Sequence, residues 1–122
     1  MFTGYLSGKG PFRPAIAERV QNITEFDLEL KLERHGNKFI VHSPQNTFSS
    51  FLNGDQNKVI FDLLIQAIQA EFTNTMRSLR IISKEGYIVN AINNGSIKKN
   101  KEDFARLQFN LLRFNIVEAK KG

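Results

Sequence analysis

Two runs decide how this chain is read: Glu25-Phe26-Asp27-Leu28-Glu29-Leu30-Lys31-Leu32-Glu33-Arg34 and, after His35-Gly36-Asn37, Lys38-Phe39-Ile40-Val41-His42. In the first, Phe26, Leu28, Leu30 and Leu32 alternate with charged residues, the period of two that belongs to a strand with one wet face. The short, glycine-containing break before the second run is a hairpin signal. The sequence therefore predicts an antiparallel β-hairpin over residues 25–42.

Downstream, residues 43–54 are polar and turn-rich but contain Phe48, Phe51 and Leu52, and they read as a loop with a short helical turn ending at Asn53-Gly54. Asp55 then caps a helix, because its carboxylate suits the positive end of the dipole. Val59, Ile60, Phe61, Leu63, Leu64, Ile65, Ala67, Ile68 and Phe72 leave that helix only a narrow polar stripe. Met76 and Leu79 carry the period to about Ser83, and Gly86 offers a left-handed cap. Tyr87-Ile88-Val89 fits either a short strand or the start of a brief helix, and Asn93-Asn94-Gly95 reads as a turn. Asn100 caps a last helix with Glu102 and Asp103 in its first turn and Lys120 and Lys121 in its last.

Upstream, residues 2–6 read as a short strand and residues 7–11 as a turn, with residues 15–21 open between strand and helix. The expected fold is a single α+β domain over residues 1–122, a small N-terminal antiparallel sheet followed by two long C-terminal helices.

The chain has 122 residues, no cysteine and two histidines, with 17 Lys+Arg against 12 Asp+Glu. The missing cysteines exclude disulfides, cysteine–zinc sites and thiol catalysis. No basic-then-apolar leader is visible at the N-terminus, and the longest apolar stretch is broken by Lys58, Asp62, Gln66 and Gln69, against a membrane span. A cytoplasmic location is expected. The abundance of asparagine, lysine and isoleucine hints at an AT-rich coding source, such as a phage or a low-GC bacterium.

No phosphate-loop, nucleophile-elbow or zinc-protease motif is present, and Gly8 and Gly10 lack the third glycine of a dinucleotide loop. Asp27, Glu29 and Lys31 superficially suit a metal-dependent nuclease strand, but a solvated strand face explains the same alternation. His35 at the tip and His42 at the open end of the hairpin are expected to lie apart, so no shared metal site is predicted. Catalytic residues, metal and cofactor are accordingly expected to be absent, and the chain reads as a non-enzymatic binding protein.

The net charge of +5 is uneven: residues 76–122 carry ten bases against four acids. Arg77, Arg80 and Lys84 share a helical spacing at the end of the long helix, and Lys98, Lys99 and Lys101 cluster before the last one. Arg106, Arg113 and Lys120 repeat every seven residues. Cations in such a stripe can track the phosphates of a nucleic acid or other polyanion, although a solvated face has the same pattern. The segment Lys9-Gly10-Pro11-Phe12-Arg13 adds bases around an aromatic that can stack on a base. Two alternatives use other features. A protein-interaction or inhibitor module, as a homodimer, would use the apolar surplus of the helices with Phe48 and Phe51. A pocket for a small phosphorylated ligand would use the same arginines.

Overall fold

Alternation in the first run makes the central strand of a sheet. In a computed structural model, which describes residues 25–122, β1 (Leu28–His35) buries Leu28, Leu30 and Leu32 and exposes Glu29 and Lys31. Gly36 adopts φ +63°, a left-handed conformation that costs glycine little. The chain then returns as β2 (Lys38–His42), antiparallel to β1 with Lys31 opposite His42 and His35 opposite Lys38. The hairpin is the one expected. Readings made on residues 1–24, including the strand at 2–6, the turn at 7–11 and the basic loop at 9–13, lie outside the described residues.

Beyond the hairpin the expected order is corrected at four points. Residues read as a loop with a helical turn contain β3 (Thr47–Phe51), antiparallel to β2. The helix from Asp55, α1 (Gln56–Glu71), stops at the Phe72 cap rather than near Ser83. Thr73, Asn74 and Thr75 follow, and short polar side chains compete with the helical backbone for hydrogen bonds. The chain then re-enters the sheet as β4 (Ser78–Ser83), burying Leu79 and Ile81 two residues apart. Gly86 opens α2 (Gly86–Asn94) instead of closing a longer helix, and Gly95 ends it at φ +75°. Asn100 does cap a helix, α3 (Lys101–Leu111), with Glu102 and Asp103 in its first turn. That helix is short, and Lys120 and Lys121 lie instead on β5 (Ile116–Lys121).

The sheet order is β3-β2-β1-β4-β5, with β4 parallel to β1 and β5 parallel to β4. The fold is thus a five-stranded mixed sheet with three helices among the described residues, not a small antiparallel sheet followed by two long helices. Short strands buried in a parallel sheet are near-continuous apolar runs, and their period is hard to tell from that of a buried helix.

One core joins the inner sheet face to all three helices. α1 packs on β2 and β3 and on α3. The rings of Phe61 and Phe104 lie 5.6 Å apart, and those of Phe72 and Phe114 meet edge-on at 5.2 Å. The nearly all-round apolar surface of α1 is therefore buried within the chain. No helix among the described residues is long and apolar enough to cross a membrane.

Asp27 clasps the parallel pair at its start. Its Oδ2 accepts from the Arg77 and Ser78 N–H groups at 2.7 and 3.2 Å, and its own N–H donates to Ser78 Oγ at 2.9 Å. Bonds to a charged acceptor of this kind contribute about 1.5–3 kcal/mol each when measured by deletion, less at an exposed site. Asp27→Ala is expected to lower the unfolding free energy in urea by about 1–3 kcal/mol, with Glu25→Ala costing under about 0.5 kcal/mol.

Candidate nucleic-acid interface

Parallel pairing of β1 and β4 points both carboxyl ends the same way, and the helices start at that end. Arg34, near the end of β1, donates from Nη1 to Gln56 Oε1 in the first turn of α1 at 2.8 Å. α2 follows β4 after only Lys84 and Glu85. Asn100, before α3, donates from Nδ2 to Asp55 Oδ2 at 2.6 Å and accepts from Asn57 Nδ2 at 3.0 Å. Three helix N-termini, each the positive end of a dipole, thereby gather beside the carboxyl ends of β1 and β4. In open α/β sheets, ligands bind in the crevice outside those ends, where the strand order reverses.

Individual side chains here are held by direct bonds. Asp55 accepts from the Asn57 N–H at 2.9 Å as the α1 cap. The Asn100 amide, the backbone N–H groups of Asn57 and Lys58, and the charge of Lys99 hold its carboxyl below the usual aspartate range. Gln56 Nε2 donates to Tyr87 Oη at 2.6 Å, so Arg34, Gln56 and Tyr87 form one chain of bonds. Burial pushes the Tyr87 hydroxyl up from its ordinary value, aided by the charges of Glu85 and Asp55 and opposed by the Gln56 bond and Arg34. Tyr87 as a whole remains 40% exposed.

Of the basic residues singled out in the sequence, the fold brings Lys84 to the end of β4 and the charge of Lys99 to Asp55, with Lys98 and Lys101 near Asn100 in the chain. Arg77 and Arg113 lie at the opposite end, Arg77 just before β4 and Arg113 5.5 Å over the Phe72 ring. Arg80 sits on the outer sheet face, 2.9 Å from Glu118 and 3.5 Å from Glu29, with Phe26 beneath it at 4.2 Å. Arg106 is bonded to Asp62 at 2.9 Å and to Asp103 at 3.4 Å. Arg77, Arg80 and Lys84 share no helix, and neither do Arg106, Arg113 and Lys120.

Sequence reasoning missed Arg34, Gln56 and Tyr87, which become neighbours only through the β1–β4 pairing. The cap residues Asp55 and Asn100 were the local signal pointing to this end. Lys121 also arrives here: its Nζ would lie 3.7 Å from a β-carbon placed on Gly86.

The two histidines are not apart as expected. His35 Nε2 and His42 Nε2 each lie 3.2 Å from the same Glu33 Oε1 on the outer face. Those bonds, His35 first and His42 second, hold the Glu33 carboxyl below its ordinary value. Among the described residues no group of three His, Cys, Asp or Glu side chains is arranged to hold a metal ion.

The architecture is similar to that of three solved structures. RNase H1 from the halophilic archaeon Halobacterium salinarum superposes with a TM-score of 0.57 at 11% identity, over 78% of this chain and 84% of that one. The fold is RNase H-like. The N-terminal RNase H domain of a Mycobacterium tuberculosis protein, solved as a fusion with maltose-binding protein, gives 0.55 at 11% identity over 77% and 86%. LC11-RNase H1, solved in complex with an RNA/DNA hybrid, gives 0.57 at 13% identity over 78% and 83%. No protein-family model and no curated protein matches the sequence. The expectation of a non-enzymatic protein, drawn from missing sequence motifs, is corrected by these neighbours: the fold is of the nuclease type carried by RNase H1 enzymes.

The lowered Asp55 pKa gives the crevice a pH signature. A carboxyl whose folded pKa lies below its unfolded value of 3.8 adds stability above that value and loses it as pH falls through the folded pKa. Wild type is expected to exceed Asp55→Asn in urea resistance at ~pH 6 and to lose that advantage by ~pH 2. Equal curves at both pH values would remove the Asp55–Asn100 tie from the account.

Proposed function

We propose that this chain binds the backbone of a nucleic-acid duplex, an RNA/DNA hybrid in the first instance, across the carboxyl ends of β1 and β4. One observation carries the reading. In an RNase H-like fold, three helix N-termini gather at the crevice where the strand order reverses, and the lysines at 84, 98, 99 and 101 adjoin two of them along the chain. Helix starts offer unpaired N–H groups and positive dipole ends to phosphate oxygens, and lysines add mobile charge. A hybrid is the duplex bound by LC11-RNase H1, a neighbour in fold. Arg34 and Lys121 join the proposed phosphate contacts. Arg80 and Arg106, committed to carboxylates, and Arg77 and Arg113, at the far end, are left outside the proposed surface.

A second reading, hydrolysis of the bound strand, is favoured by the fold of its RNase H1 neighbours. Nucleases commonly hold two metal ions between the attacking and leaving oxygens. Asp55 and Glu85 are carboxylates whose charges act on Tyr87 in this crevice, and among the described residues no three-ligand group forms there.

Fluorescence anisotropy with a labelled hybrid tests the first reading. The double variant Lys84→Glu/Lys99→Glu is expected to weaken binding by at least about tenfold at ~50 mM salt and to flatten the salt slope. Arg113→Glu is expected to stay within about twofold. Undetectable binding by wild type, or equal losses in both variants, would overturn it. The same samples with Mg²⁺ or Mn²⁺, run on a denaturing gel, address the second: shortened RNA strands support hydrolysis, and an intact strand under saturating binding contradicts it. Stabilisation by mononucleotides without oligonucleotide binding would instead favour a small phosphorylated ligand.

A further inference from the structure

The two sheet edges are finished differently. On β5, the side-chain amide of Asn93 acts as a short strand: its Oδ1 accepts from the Ala119 N–H at 3.0 Å and its Nδ2 donates to the Ala119 carbonyl at 2.9 Å. Glu118, Lys120 and Lys121 put charge along the same strand. Charged edges and covered backbone groups are the usual protection against strand addition. Among the described residues β3 has neither: Thr47-Phe48-Ser49-Ser50-Phe51 is uncharged and proline-free, with Phe51 68% exposed.

Which groups face outward follows from register. The Leu52 N–H donates to the Asn37 carbonyl at 2.6 Å and the Ser43 N–H to the Asn46 carbonyl at 2.8 Å, both on the β2–β3 register. In an antiparallel ladder, bonded and non-bonded pairs alternate. Phe48 and Ser50 therefore turn their N–H and carbonyl groups toward β2, and Thr47, Ser49 and Phe51 turn theirs to the open edge.

We propose that β3 pairs antiparallel with β3 of a second copy of this chain, about a two-fold axis through Ser49, joining two sheets into one of ten strands. In this register the outward residues meet: Ser49 faces Ser49 of the other copy, and Thr47 faces its Phe51. Each facing pair exchanges two backbone bonds, so every outward N–H and carbonyl of β3 is satisfied. A two-fold axis sets like residues near like, so a charge at the centre would meet its own sign. β3 carries none, whereas on β5 the outward N–H and carbonyl of Ala119 are already taken by the Asn93 amide. Phe51, beside Lys38 within its own copy, is covered by Thr47 of the other. This places a homodimer on a strand edge and not on the helical surface that the sequence suggested.

Sedimentation equilibrium of the full chain tests the pairing. Wild type is expected at twice the chain mass at ~100 μM, and Ser49→Lys, which puts a charge on the axis, at the single mass. Ser49→Pro removes an N–H that β2 does not use and is expected to be monomeric, with a thermal midpoint equal to that of wild type diluted to the single mass. A wild-type monomer, with the edge open or taken by another segment of the chain, overturns the proposal. So does a dimer that survives both substitutions.

Discussion

Parallel pairing between β1 and β4 is the constraint on which the rest depends. Asp27 fixes it at one end by bonding Arg77 and Ser78 at the entry to β4, and Leu28, Leu30 and Leu32 then fall opposite Leu79, Ile81 and Ser83. A one-residue slip would turn the apolar side of β1 to solvent. With the register set, both strands end together and the connections from their ends must diverge, β1 turning back to β2 and β4 rising into α2. The crevice is a consequence of that divergence. The contrast with Glu29 is instructive: one pleat further on, the same carboxylate chemistry answers Arg80 on the outer face.

Charge is sorted by the same geometry. The outer sheet face holds bases and acids in mutual contact, Arg80 between Glu29 and Glu118, and Glu33 among Lys31, His35 and His42. Along α1 and α3, Lys58 and Arg106 share Asp62 and Asp103. Exposed pairs of this kind add little stability, but they cancel the field of the cations within them. Part of the C-terminal excess of positive charge is thus left to lysines near the helix starts, where dipoles reinforce it.

What the sequence made legible was local. Strict alternation over Leu28–Leu32 showed the hairpin, and Asp55 and Asn100 marked two helix starts because a cap is chosen by its nearest neighbours. β4 and β5 were not legible. Leu79 sits at a helical interval from Phe72 and Met76 as well as a strand interval from Ile81, and burial by the parallel sheet removed the polar alternation that would have separated the two. A helix through this stretch would give Arg77, Arg80 and Lys84 a common face that the strand denies them. Lys84, Lys98, Lys99 and Lys101 each lie next to a helix start in the sequence, three residues or fewer from it or on its first turn. Arg34, Gln56 and Tyr87 are 22 and 31 residues apart along their bonded chain, and no local pattern links them.

The central claim is the location of the nucleic-acid surface, and amide chemical-shift mapping during titration with an RNA/DNA hybrid tests it most directly. The account predicts that shifts concentrate at Arg34–Gly36, Asp55–Asn57, Lys84–Tyr87 and Lys98–Lys101 while Arg77 and Arg113 stay still. Shifts centred on Arg77 and Arg113, or on the outer face around Arg80, would contradict it.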